Sequence, residues 1–152
     1  MVTTQVENKL CHKKHKKAQK LLKKDKKMKT DDEVMKLCDV VRQTGYDIHC
    51  YHGSGHREQL YHRALFHRLE KSGQKIFEQF PIKIYDEDGT LLCDYHADLL
   101  VEKRLIVEIK AVRAIAPEHI AQILGYLRGS RIRHGLLMNF GGVKFEVRKY
   151  VI

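Results

Sequence analysis

Between Leu105 and Val112 the chain reads LIVEIKAV, an apolar run interrupted by a glutamate and a lysine two residues apart. Such a run fits a buried strand, in which an unpaired charge costs several kcal/mol, so Glu108 and Lys110 need partners or a solvent-filled cleft. Strand alternation puts Leu105, Val107, Ile109 and Ala111 on one face and Ile106, Glu108, Lys110 and Val112 on the other, so the two charged side chains project together. Both faces read as covered, as in a central strand. A second carboxylate lies upstream, Asp98 in HADLLVEKR. If Glu102, Lys103 and Arg104 form a three-residue hairpin loop, residue 98 falls opposite residue 108 and the carboxylates share a face; a two-residue loop separates them. The three-residue register is the expectation, because it alone gathers Asp98, Glu108 and Lys110. Two carboxylates from neighbouring strands make a hard-oxygen site suited to Mg²⁺ or Mn²⁺, beside which an ammonium can orient an attacking water or help to deprotonate it. That is the chemistry of phosphodiester hydrolysis. Glu58 is a candidate to complete the ligand shell, and Gln122 and Tyr126, four apart on one helix face, to position Lys110, the water or a phosphate.

The elements that must place these residues follow from periodicity. DDEVMKLCDVVRQTG sets Val34, Leu37, Cys38 and Val41 at helical spacing, with acids at its start and Gly45 as its stop. After a YHGSG loop, HREQLYHRALFHRLEKSG continues as a helix in which Tyr61, Leu65, Arg68 and Leu69 extend the face of Glu58, and Gly73 closes it. Glu58 is thus expected on the core side, near the helix start. From Lys75 the period changes to two, with Phe80, Ile82 and Ile84 leading to an Asp88-Gly89 turn, and three strands are expected at roughly 76–85, 90–101 and 104–112. Pro117 opens a further helix with Ile120, Ile123, Leu124 and Leu127 on its apolar face and Gly129 as its stop. Two strands, around 133–140 and 143–151, meet through Gly141-Gly142. This order makes an α/β or α+β fold.

Composition bounds the rest. The 152 residues, 43% hydrophobic, suit one domain with a modest core. The formal charge is +10, but residues 1–30 hold eleven lysines against Glu7 and Asp25, so this segment carries +9 and leaves +1 for everything after it. The segment reads as a disordered or nascently helical arm, and residues 31–152 as a single domain. Lys13, Lys14, Lys16, Lys17, Lys23, Lys24, Lys26 and Lys27 are its candidate contacts to nucleic-acid phosphates; such a run also serves as a nuclear localisation signal or simply as a solubilising charge block. Cys11, Cys38, Cys50 and Cys93 are scattered and no apolar stretch resembles a signal sequence or a membrane span, which reads as an intracellular protein with reduced thiols. Cys50, His52 and His56 have spacing that can ligate zinc, without the second cysteine pair of a usual structural site.

Asp98, then Glu108-x-Lys110, after an acidic helix and before a Gln122-x-x-x-Tyr126 pair, resembles the PD-(D/E)xK nuclease superfamily, and the Gln-x-x-x-Tyr spacing is similar to its RecB-like and Cas4-like branch. More narrowly, Gly55-His-Arg-Glu58-Gln-Leu-Tyr61, with DYHADLLVEKRLIVEIKAV, AQILGYL and GLLMNFG, resembles the GxxExxY proteins, from about residue 53 to the C terminus. The resemblance implies a restriction-endonuclease-like core, a central mixed sheet flanked by helices, and metal-dependent nuclease chemistry. Glu58 would correspond to the helix acid, Asp98 and Glu108 to the metal-binding pair, Lys110 to the catalytic lysine, and Gln122 with Tyr126 to the auxiliary motif. Ala97 stands where the superfamily's name has proline. Homodimers, common in that superfamily, are compatible with it.

Each residue also has a plainer reading. Glu-x-Lys pairs occur on exposed strand faces, Asp98 fits a strand end, Glu58 a first helical turn, and Tyr61 and Tyr126 ordinary packing. Most of the ten histidines, His62 and His67 among them, read as solvated surface, while His56 and His96 lie where they can touch substrate. The expected function is a Mg²⁺-dependent nuclease acting on DNA. The alternative is a nucleic-acid-binding or assembly module on a nuclease fold that no longer cuts.

Overall fold

The computed structural model describes residues 31–152. The chain divides into two compact units, Met1–Lys36 and Leu37–Ile152. Of the first, residues 31–36 are described and are helical; the lysines proposed for phosphate contact lie outside the described residues. The second unit is α+β, with three helices and one five-stranded mixed sheet. It opens with α1, residues 37–52. Then come α2 (Glu58–Lys71), β1 (Ile76–Tyr85), β2 (Leu91–Val101), β3 (Leu105–Lys110), α3 (Pro117–Ser130), β4 (His134–Asn139) and β5 (Glu146–Val151).

The sheet order is β1-β2-β3-β4-β5. Consecutive strands pair antiparallel except β3 and β4, which run parallel because α3 carries the chain back between them. β3 is central and buried along Leu105–Ile109, which accounts for its nearly continuous apolar composition. On one side of the sheet, Tyr126 and Leu127 of α3 pack on Ile82, Ala97, Leu100 and Ile106. Tyr61, Leu65 and Leu69 form the buried stripe of α2, and Leu37, Cys38, Val41 and Ile48 that of α1.

Two glycines expected to stop helices instead lie inside them. α1 continues past Gly45 to residue 52, and α3 past Gly129 to Ser130. A Cβ at Gly45 would stand 2.7 Å from Phe145 Cζ, and one at Gly129 would overlap the Ile84 side chain. Both are notches that let a helix approach the sheet closely, a cause that one-dimensional punctuation does not distinguish from a helix end. Gly73 does close α2.

Just beyond β4, a Cβ at Gly141 would collide with the backbone of Ala111 and Val112, where the exit of β3 passes against that of β4. Backbone cannot step aside as a side-chain tip can. Gly141→Ala is expected to lower unfolding free energy by about 1–3 kcal/mol, read by urea titration; an unchanged midpoint would contradict this packing.

Candidate active site

The hairpin between β2 and β3 has the three-residue register. Leu99 pairs with Val107, Leu100 with Ile106 and Val101 with Leu105, and Glu102, Lys103 and Arg104 form the loop. Glu102 and Lys103 adopt left-handed backbone (φ 52° and 55°), which closes so short a turn. The ladder ends at Leu99–Val107. One step further on, β2 leaves β3, and the amide that would lose its partner, Ile109 N–H, donates to Asp98 Oδ2 at 2.7 Å. The pleat of β2 also breaks here. Ala97 and Leu100, three apart rather than two, both belong to the cluster under α3, and Gln79, opposite the break on β1, sits at φ 46°. A carboxylate is thereby pulled into the opened gap between two strands.

Glu108 stands beside it, only 2% exposed. Its Oε1 accepts a 2.8 Å bond from Lys110 Nζ. Its Oε2 is buried without a hydrogen-bond partner; the Asp98 amide exerts a weak pull that falls short of a bond. Burial, then the neighbouring Asp98 charge, push the Glu108 carboxyl up to about 7 against the opposing Lys110. Burial likewise raises the Asp98 pKa, although the Ile109 amide, Lys110 and His62 favour its charged form. For Lys110 burial works downward, but the bond to Glu108 and the charges of Glu108, Glu58 and Asp98 outweigh it, and its pKa lies above the usual value. Lys110 is therefore a permanent ammonium between carboxylates that are reluctant to ionise together.

The remaining sequence-predicted residues surround this core. Gln122 Nε2 donates to Tyr126 Oη at 2.8 Å, and burial, with the nearby Glu108 charge, raises the phenol's pKa, so it stays neutral. Glu58 is exposed rather than on the core side, because it lies one turn ahead of Tyr61, where the apolar stripe of α2 runs out. It opens instead into a cavity of about 440 Å³ shared with His62, Glu78 and Asp98. Glu108 and Lys110 do not line it themselves. Tyr61, fully buried, donates to Gly53 O at 2.8 Å and accepts from His56 N at 3.2 Å, which ties down the loop leading to Glu58. The spacing of Gly55, Glu58 and Tyr61 is thus a loop, an acid at its exit and the ring that closes it.

Two contributors escaped the sequence reading. His62 is part-buried, with Nε2 3.3 Å from the Asp98 carbonyl and Nδ1 3.6 Å from Glu78, not on the solvated surface. Its position one residue after Tyr61 on the buried stripe was the available signal. Asn139, 1% exposed, accepts from Val112 N and Gly141 N, both at 3.0 Å, and so fixes the chain after Lys110. His96 is exposed on β2.

Comparison with protein families matches residues 35–150 to the PD-(D/E)XK nuclease superfamily. The chain belongs to that superfamily. Among solved structures it is similar to the crystal structure of SSO0001, with TM-score 0.50 and 18% identity, over 61% of this chain and 48% of that one, a likeness of fold alone. The chain thus spans about half the length of that structure. Curated proteins give no match. PD-(D/E)XK nucleases generally use divalent metal ions, and the donor set suits one: two hard carboxylates side by side, one oxygen buried without a partner. Among the described residues no three His, Cys, Asp or Glu side chains converge to cage an ion, Cys50, His52 and His56 included. No helix among them is long and apolar enough to cross a membrane.

Folding raises the Glu108 pKa from 4.5 to about 7, so the folded chain holds this proton more tightly than the unfolded one. The associated stability is fully present below the unfolded value and is lost as pH rises through the folded one. Metal-free protein should therefore lose Tm between about pH 5 and about pH 8. Glu108→Gln should flatten that loss, and Mg²⁺ should raise Tm more at the upper pH. A Tm profile indifferent to Glu108→Gln would contradict the assignment.

Proposed function

We propose that this PD-(D/E)XK chain is a metal-dependent nuclease that hydrolyses DNA phosphodiester bonds. The observation that carries the reading is the orphaned Glu108 Oε2, a buried acceptor without a hydrogen-bond partner beside the charge of Asp98. Asp98 and Glu108 would hold Mg²⁺ or Mn²⁺, with Glu58 reaching the same place through the cavity it shares with Asp98. Such a cation supplies charge neutralisation at the phosphate and an acidified water. Because no third His, Cys, Asp or Glu converges on the pair among the described residues, water and substrate oxygens would complete the shell, the habit of Mg²⁺.

The chain's own groups account for the rest. Lys110, held as an ammonium, orients the attacking water and stabilises charge developing on the phosphate. Its bond to Glu108 keeps it aimed. The neutral Tyr126 hydroxyl, occupied on one side by Gln122, remains able to donate toward a phosphate oxygen. The lysines of residues 1–30 would add sequence-independent phosphate contacts. The likeness to the GxxExxY proteins and to the RecB-like and Cas4-like branch is consistent with this reading and is part of the proposal.

One observation favours the second reading, a binding module that no longer cuts: the Glu108–Lys110 pair is already closed at 2.8 Å. The two readings separate on linear, circular, flapped and junction DNA with Mg²⁺ and with Mn²⁺. We expect cleavage that chelator abolishes and that falls at least about 100-fold in Lys110→Ala. Asp98→Ala should be equally impaired. Binding without metal-stimulated cleavage across the panel would leave the binding module standing.

A further inference from the structure

A second concavity, of about 910 Å³, runs along the exposed side of α2 and the end of α1. Its lining carries Arg57, Arg63, Arg68 and Lys71, with three histidines, His52, His56 and His67, and no carboxylate. That composition is not a sample of its surroundings. Outside residues 1–30 the chain is nearly neutral, at +1, so four cations in one groove whose lining has no carboxylate are a local concentration. Gln59 and Arg63 line this groove and also the acidic cavity of Glu58 and Asp98, so the two are continuous around one turn of α2. At the groove's other end stands Tyr51, 79% exposed, with the Arg68 guanidinium 5.8 Å from its ring centre and His52 edge-on at 4.9 Å. A large ring so exposed, steadied by a cation and a neighbouring ring, is a stacking platform.

We propose that this groove is the track on which one nucleic-acid strand approaches the acidic cavity, its phosphates along Arg57, Arg63, Arg68 and Lys71 and a base stacked on Tyr51. The inference rests on the nuclease reading for its direction and extends it to a substrate class, single-stranded nucleic acid or an unpaired end. A polyanion is attracted to the groove and repelled by the carboxylates of the cavity, so it needs a cationic lane up to the edge of that cavity, where Arg63 stands. The unpaired strand is favoured over duplex because only an unstacked base can meet the Tyr51 face.

The test measures binding by the full chain, carrying Lys110→Ala to suppress turnover, to a labelled single-stranded oligonucleotide and to a duplex of the same sequence over a salt series. Arg57→Ala with Lys71→Ala should weaken single-strand binding and make the slope of log affinity against log salt shallower by about 1 to 2. Tyr51→Ala should weaken single-strand binding roughly tenfold, leave duplex binding unchanged, and be rescued by Tyr51→Phe. An unaltered salt slope in the double variant, or a Tyr51→Ala effect absent or equal on both DNAs, overturns the proposal. Binding that follows the expected pattern in a protein that never cuts keeps the groove and removes the nuclease reading. Cleavage by a chain whose double variant binds undiminished keeps the nuclease and removes the groove.

Discussion

The carboxylate of Asp98 holds the Ile109 amide at the point where β2 parts from β3. A sheet that simply stopped pairing there would bury an amide without a partner, at a cost of about 1–3 kcal/mol. By answering that amide with a side chain, the fold opens two central strands without the penalty and leaves a carboxylate in the opening. Asp98 is then fixed by backbone geometry, and Glu108, one residue before the amide it holds, is brought alongside. The other features of the site, the ammonium between the acids, the buried oxygen, and the cavity reaching to α2, all presuppose this parting of strands.

The electrostatics follow from that placement. Burial raises the pKa of both carboxyls, the Asp98 charge adds to the rise at Glu108, and the one ammonium beside them does not offset it. The arrangement is poised: at low pH a proton relieves it, at higher pH something positive must. Lys110 answers one oxygen of Glu108 only. A core built for stability would have replaced this cluster with apolar residues at little or no loss, since buried ion pairs rarely gain on hydrophobic substitutes. Its presence at the centre of the sheet, together with membership of the superfamily, is why function rather than packing is the better account of it.

Much of this was legible in the sequence, for definable reasons. Period-two alternation and an Asp-Gly turn located β1 and β2, and a three-residue loop fixed the register that joins Asp98 to Glu108. Apolar neighbours on both sides of Glu108 and Lys110 announced a buried strand. What failed was whatever depends on contacts distant in the chain. Gly45 and Gly129 look like helix stops until Phe145 and Ile84 are seen against them. His62 looks like one more surface histidine until Glu78 and the Asp98 carbonyl arrive from β1 and β2. The pleat break at Asp98 is likewise invisible to a reading that assumes strict alternation, although the register survives it.

Tyr61 has a consequence beyond its own hydrogen bonds. Its ring stacks on Phe140 at 4.6 Å, nearly parallel, while its hydroxyl grips the loop before α2. Phe140 in turn gives its amide to the Lys110 carbonyl. One aromatic stack therefore connects the loop that presents Glu58 with the backbone that presents Lys110. The acid and the ammonium, fifty-two positions apart in the chain, are thus mounted on one continuous packed unit.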